Sequence, residues 1–175
     1  MSTPQRLADL SSPERRNRIA LAAVRTAAAW VIFIGIYYVI TFDAKYSYDA
    51  IIRLGVGVLI FAAVIYVQIR HIQGSDVPEI RAIESIGTIV PFFLVLFAGT
   101  YLTLSHASQS NFSTPLNHTS ALYFTITVLS TVGFGDITPK QDISQIIVSV
   151  QMLFDFIVIV AVVRLLITTA QSRVT

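Results

Sequence analysis

Four long stretches of apolar residues, separated by short polar segments, dominate the pattern along the chain. They run from Ile19 to Phe42, Ala50 to Ile69, Ile86 to Leu104 and Ile143 to Thr169. Each is close to or above the ~20 residues that an α-helix needs to cross the hydrocarbon core of a bilayer. The pattern therefore predicts four transmembrane helices. The third helix should be bent at Pro91, because proline removes a helical hydrogen bond.

A fifth apolar run, Ala121 to Leu129, is too short to cross a bilayer as a helix. A segment of this length enters the membrane only where protein or water surrounds its ends. We therefore expect a short re-entrant helix, with Thr119 or Ser120 at its N-cap. The first stretch is too long for the apolar region of a signal peptide, and we interpret it as a retained membrane helix.

The composition agrees with a membrane protein and excludes several other classes. Charged residues make up 13% of the 175 residues and the mean hydropathy is +0.71, whereas soluble domains carry ~25% charged residues. This argues against a soluble enzyme, a nucleic-acid binder and a disordered regulator. The chain contains no Cys, so disulfides, zinc fingers and thiol catalysis are excluded.

The basic residues predict the orientation, because short cytoplasmic segments of membrane proteins carry an excess of Lys and Arg. With four spans, the two sides differ in the number of basic residues. One side has Arg6, Arg15, Arg16, Arg18, Arg70, Arg81 and Arg173, and the other has Lys45 and Lys140. We therefore expect both termini in the cytoplasm.

The segment between the third and fourth apolar stretches contains an unusual alternation, with Gly133 and Gly135 separated by a bulky residue. Glycine reaches backbone conformations that other residues avoid. Such an alternation lets successive carbonyls point to one side of an extended strand, where they can replace the hydration shell of a cation. One strand does not enclose an ion, so the protein should be a homotetramer. The alternative is a tight glycine turn between two packed helices.

The run Thr131-Val132-Gly133-Phe134-Gly135-Asp136 resembles the selectivity-filter signature of potassium channels, with Phe134 in place of the commoner tyrosine. The helix, short helix, filter and helix order also resembles the pore module of that family, over roughly the second half of the chain. The resemblance implies an all-α membrane protein that conducts potassium ions passively, without a cofactor. It also implies a location in the plasma membrane.

The same resemblance implies roles for individual residues. The backbone carbonyls of Thr131, Val132, Gly133 and Phe134 would hold potassium ions, and the Thr131 hydroxyl would add the innermost ring. Gly135 would permit the outer turn and Asp136 would lie at the outer mouth. Tyr123 stands where the family has an aromatic residue that hydrogen-bonds this Asp, and Thr127 stands where some members have a buried glutamate.

The implied organisation has four parts. Residues 1–18 form a cytoplasmic segment, 19–71 two peripheral transmembrane helices, 72–85 a cytoplasmic linker and 86–175 the pore domain. Arg25 and Arg53 are single charges on separate helices, so we expect no strong voltage sensor. Arg164 should extend toward the lipid headgroups, or pair with Glu84 or Glu79.

Asp155 lies in the fourth apolar stretch, where many members of the family have a hinge glycine. Gln151 and Ile159 share its helical stripe by i, i+4 spacing. One hypothesis is that this stripe faces a central cavity, where four carboxylates would attract internal Mg²⁺ or polyamines as blockers. The alternative is an Asp buried between helices and paired with Arg or a hydroxyl.

Three other functions compete with a potassium channel. One is a weakly selective cation channel, and another is a non-conducting scaffold or an auxiliary channel subunit. A membrane enzyme is disfavoured, because no nucleophile–base pair or metal-ligand cluster appears in the sequence.

Overall fold

The computed structural model describes residues 11–42, 46–73 and 78–171. Arg6, Lys45 and Arg173, which contribute to the predicted orientation, lie outside these ranges. The side chains of Glu79 and Arg164 also lie outside the description.

Helices make up the regular structure of the described residues. They are α1 (Ser12–Val39), α2 (Ser47–Gln73), α3 (Pro78–Ala107), α4 (His118–Leu129) and α5 (Asp142–Gln171). A short 3₁₀ turn, Gln109–Asn111, precedes α4, and an isolated β-bridge pairs Phe112 with Pro139.

Three of the described helices are long and apolar enough to cross a membrane, in the segments Ser12–Val39, Tyr48–His71 and Ile80–Ala107. The prediction of an all-helical fold is therefore confirmed for the described residues, and three of the four predicted spans correspond to helices that could cross a membrane. Some helices begin or end in polar residues beyond the apolar stretches, as α1 does at Ser12. At the start of α1, the Ser11 hydroxyl donates to the Glu14 carboxylate over 2.6 Å. Helix α3 continues across Pro91, which is buried.

The chain divides into two compact units. The first comprises Met1–Ile36 and Val58–Phe93. Within it, Phe92 contacts Phe33 edge-on and stacks on Phe61, with centroid distances of 5.4 and 5.6 Å.

Glu84 is the centre of the polar contacts in the first unit. Its carboxylate pairs with Arg81 at 2.9 Å and with Arg25 at 3.6 Å. These partners come from α3 and α1. The sequence offered Arg164 of α5 only as an alternative partner, and its side chain is outside the description. Close by, Ser85 donates a hydrogen bond to Gln68 over 2.9 Å, so α2 and α3 share a polar contact.

The second unit comprises Tyr37–Gly57 and Leu94–Thr175. Its core contains Tyr101, Phe112 and Phe124, whose rings contact one another edge-on at centroid distances of 5.2–5.8 Å. Such edge-to-face pairs add to the free energy of apolar burial. Tyr37, at the end of α1, is fully buried and donates to the carbonyl of His118 over 2.7 Å. This bond fixes the first residue of α4.

The N-cap of α4 is Asn117, and the prediction of Thr119 or Ser120 is wrong. The Asn117 side chain accepts from the Ser120 N–H over 2.9 Å, and the Ser120 hydroxyl accepts from the Asn117 N–H over 2.8 Å. This reciprocal pair is a capping box with Asn and Ser in place of the usual residues. The helix therefore begins earlier than its apolar residues indicate.

We expect Asn117→Ala to lower the free energy of unfolding by ~1 kcal/mol, because the amide of Ser120 loses its acceptor at the helix start. Thermal unfolding of the purified protein in detergent measures this change. Asn117→Asp is the matched control, since a carboxylate also accepts this hydrogen bond. Equal midpoints for the Ala and Asp variants would show that the cap contributes no stability.

Candidate ion-binding loop

The loop that contains the alternating glycines follows α4 without a break. Ser130 caps the helix, and its N–H donates to the carbonyl of Ile126 over 2.9 Å. The next amide, that of Thr131, donates to the carbonyl of Val128 over 2.9 Å. The C-terminal end of α4, where the helix dipole is negative, therefore lies at the start of the loop.

Every second residue of the loop has a left-handed backbone. The φ angles are 59° at Thr131, 52° at Gly133 and 78° at Gly135. Glycine adopts this conformation without steric cost. Threonine is β-branched, and a positive φ at Thr131 is a strained conformation that the surrounding structure must hold in place.

Two successive amides of the loop converge on a single acceptor. The N–H groups of Val132 and Gly133 both donate to the carbonyl of Thr127, each over 3.1 Å. In a trans peptide the N–H and the preceding C=O point in opposite directions, and the described residues contain no cis peptide. The carbonyls of Thr131 and Val132 are therefore directed away from α4.

Thr127 supports the loop through its backbone, and its side chain is turned into the helix. The Thr127 hydroxyl donates to the carbonyl of Phe124 over 2.8 Å, and the residue is buried. The structure thus has a satisfied hydroxyl where some potassium channels have a carboxyl group.

The outward face of the loop is open within one subunit. Val132 is 54% exposed and Phe134 is 69% exposed, a large apolar exposure for a loop. A Cβ atom added at Gly133 or Gly135 would have no heavy atom within 4 Å. Val132 and the two glycines are therefore open in the single chain, although the amides of Val132 and Gly133 bond to the Thr127 carbonyl.

Tyr123 and Asp136 join the outer end of the loop to α4. The Tyr123 hydroxyl donates to Asp136 Oδ2 over 2.9 Å, and Asp136 Oδ1 accepts from the Ile137 N–H over 3.0 Å. The hydrogen bond to Asp136 raises the pKa of the Tyr123 hydroxyl above its ordinary value. The Tyr123 ring also lies parallel to the Phe134 ring, with a centroid distance of 6.4 Å.

The segment before α4 supports the outer side of the loop, which the sequence did not predict. Ser113 and Thr138 are joined by two hydrogen bonds, of 2.9 and 3.0 Å. Asn111 is buried, donates to the carbonyl of Leu104 over 2.8 Å and accepts from Lys140 and Ser144 through its own carbonyl. Its partners are distant in sequence, so no local pattern indicated this role.

Gln151 and Asp155 are buried in the single chain, which favours the alternative of an Asp buried between helices over the hypothesis of a stripe that faces a central cavity. Their exposed fractions are 0% and 3%, whereas Ile159 on the same stripe is 40% exposed. The Gln151 side chain accepts from the Tyr101 hydroxyl over 2.5 Å and donates to Asp155 over 3.2 Å. Asp155 is thus buried between helices, but its direct partner is the side-chain amide of Gln151 and not an Arg or a hydroxyl group. Hydrogen bonding inside the subunit offsets the cost of burying these groups.

Comparison with protein families locates the loop within a known domain. The sequence profile of a family described as ion channel matches residues 89–172. This range begins within α3 and contains α4 and the glycine loop, so the similarity to that family covers the candidate site. No curated protein and no solved structure matches the chain.

We expect Tyr123→Phe to increase the rate of amide hydrogen exchange at the outer end of the loop by a few-fold. The variant keeps the ring against Phe134 but removes the hydroxyl that donates to Asp136. The Asp136 carboxylate, which also accepts from the Ile137 amide, is then held less firmly. Hydrogen exchange with mass spectrometry on peptides covering residues 134–138 measures the change.

Tyr46→Phe is the matched control for this experiment, because Tyr46 is an exposed tyrosine that precedes α2. It should leave exchange in the loop unchanged. A loop that exchanges equally in all three proteins would contradict a supporting role for the Tyr123 hydroxyl.

Proposed function

We propose that this chain, whose residues 89–172 match the ion channel family, forms a potassium-selective channel from four copies around one pore. The observation that carries the proposal is the pair of loop amides that share the Thr127 carbonyl. This pair directs the carbonyls of Thr131 and Val132 away from α4. The match to a family of ion channels also favours transport over catalysis.

The ion sites in this proposal are backbone oxygens. The carbonyls of Thr131, Val132, Gly133 and Phe134 hold potassium ions in succession, and the Thr131 hydroxyl adds the innermost ring. Gly135 turns the chain outward, and Asp136, held by Tyr123, adds negative charge at the mouth. Rings of carbonyl oxygens replace the hydration shell of potassium, and neighbouring ions pass along the row. The ions move down their electrochemical gradient.

The proposal of a tetramer is supported by the exposed face of the loop. One loop supplies oxygens on one side of an ion, so several copies are needed to surround it. Closed cyclic symmetry places identical loops around a single axis. The carbonyls of Thr131 and Val132, which are directed away from α4, then lie toward that axis.

The apolar surface of α5 supports both assembly and a fourth membrane span. This helix has 30 residues, more than the ~20 required to cross a bilayer. Several of its apolar side chains are more than half exposed in the single chain: Ile146, Met152, Leu153, Phe156 and Ile157. In the assembled channel these residues contact lipid or another copy.

The orientation in this proposal follows the excess of arginine. Both termini lie in the cytoplasm of a cell whose plasma membrane contains the channel. The arginines at the start of α1, Arg15, Arg16 and Arg18, are exposed on its first turns. They suit the anionic headgroups of the cytoplasmic leaflet.

Helix α4 contributes an electrostatic term to conduction. Its C-terminal end, around Leu129, carries the partial negative charge of the helix dipole. Four such ends directed toward one axis would stabilise a cation before it enters the carbonyl rows. Block by internal Mg²⁺ or polyamines at Asp155 is not part of this mechanism, because that carboxyl group is buried.

Potassium flux into liposomes containing the purified protein should exceed sodium flux at least about tenfold, because rings of carbonyl oxygens compensate the lost hydration of potassium better than that of sodium. Reversal potentials in mixed potassium and sodium give the same ratio independently. Equal permeation would indicate a weakly selective cation channel. A protein that conducts neither ion would be a scaffold or an auxiliary subunit.

We expect Gly133→Ala to abolish potassium flux, because a Cβ at φ 52° strains the backbone that orients the carbonyls, although it meets no heavy atom within 4 Å. Gly35→Ala is the matched control. Gly35 also has open space around an added Cβ, but it lies in α1 without a left-handed backbone. Full flux in Gly133→Ala tetramers, verified by native mass spectrometry, would contradict the proposed ion path.

A further inference from the structure

A buried polar cluster joins three helices of the second unit. It consists of Tyr101 on α3, the carbonyl of Thr125 on α4, and Gln151 and Asp155 on α5. Each of these four residues is at most 3% exposed. Buried polar groups are costly unless they are hydrogen-bonded. Most polar atoms of this cluster are bonded to one another, and one carboxyl oxygen is not.

The side-chain amide of Gln151 connects all the other members. Its oxygen accepts from the Tyr101 hydroxyl over 2.5 Å. Its nitrogen donates to the Thr125 carbonyl over 3.3 Å and to Asp155 Oδ2 over 3.2 Å. An amide nitrogen has two hydrogens, so both are used. Through this amide, α5 is tied to the backbone of α4, the helix that supports the loop.

The second carboxyl oxygen, Asp155 Oδ1, is buried and has no hydrogen-bond partner among the described residues. Ionising Asp155 in this arrangement would leave charge on an oxygen without a donor, which is much costlier than leaving a neutral group unpaired. A charged carboxyl group would therefore have to recruit a donor from its neighbours or admit water.

Among the residues that the structure describes, the neighbours of Asp155 limit which donor it can recruit. From α3, the facing titratable group is Tyr101. From α4, the group at the cluster is the Thr125 carbonyl, which accepts and does not donate. On α5 itself, Gln151 already gives both its hydrogens. An ionised Asp155 therefore competes with Gln151 for the Tyr101 hydroxyl, and bonds to a charged acceptor are the stronger ones.

On the premise of the proposed channel, we propose that Asp155 is a positioning residue whose proton controls how firmly α5 holds α4. With the proton bound, Gln151 stays between Tyr101 and Thr125, and the two helices are tied. When the proton leaves to water, the Tyr101 hydroxyl turns toward the carboxylate and Gln151 loses one anchor. Its bond to the Thr125 carbonyl weakens, and α4 becomes freer to move with the loop that it supports.

Hydrogen exchange of the α4 peptides, measured over a range of pH on the full-length protein, tests this inference. Rates are corrected for the intrinsic pH dependence of exchange. In the wild type, the corrected rate should rise at least about tenfold from low to high pH as the link loosens. Asp155→Asn, a neutral side chain of the same shape, should keep the low-pH rate of the wild type at every pH.

Two further variants separate this role from a merely structural one. Asp142→Asn removes an exposed carboxyl group from the first turn of the same helix and should follow the wild type. Tyr101→Phe removes the donor to Gln151, so it should raise exchange even at low pH. A wild type without a transition, or an Asp155→Asn variant that keeps the wild-type transition, would overturn the inference.

Potassium flux measured on the same proteins distinguishes this inference from the proposed function. Flux that changes with pH in the wild type and is constant in Asp155→Asn supports both. If the exchange transition depends on Asp155 but no protein conducts, the control of α4 stands and the proposed function fails. If all proteins conduct and exchange shows no dependence on Asp155, the proposed function stands and the inference is overturned.

Discussion

One backbone contact determines the geometry of the glycine loop: the amides of Val132 and Gly133 share the Thr127 carbonyl as acceptor. Because peptide groups are planar and trans, amides that point toward α4 require carbonyls that point away from it. Alternating left-handed residues make this arrangement possible in a chain of L-amino acids. The orientation of the Thr131 and Val132 carbonyls follows from this contact. In the proposed channel several copies are needed, because one loop supplies oxygens on one side of an ion.

The contact is useful only if α4 is held firmly, and most of the second unit serves that purpose. Tyr37 and the Asn117 capping box fix the beginning of the helix. The aromatic core packs along one side of it, and Gln151 reaches its backbone from α5. A short helix has little stability of its own, so these tertiary contacts keep it formed. The polar interior is unusual for a chain this apolar, and it is concentrated around the helix that positions the loop.

The sequence was sufficient to predict the long helices, because length and hydrophobicity are local properties that the bilayer constrains strongly. It also predicted the position of the glycine loop and the pairing of Tyr123 with Asp136, the latter through resemblance. It failed where a side chain had to be assigned a direction. Helix α5 is apolar nearly all round, so its pattern did not indicate which side carries Gln151 toward Tyr101. The partners of Glu84 and the role of Asn111 depend on residues distant in sequence, and no local pattern encodes them.

Anomalous diffraction from crystals of the assembled protein grown in rubidium, which replaces potassium, measures directly whether the backbone carbonyls of Thr131 to Phe134 bind the permeant ion. We predict a row of anomalous peaks on the symmetry axis, each surrounded by carbonyl oxygens of these residues from every subunit. A loop without peaks, or peaks bound to the Asp136 or Asp155 carboxylates in place of the carbonyls, would contradict the proposed ion path.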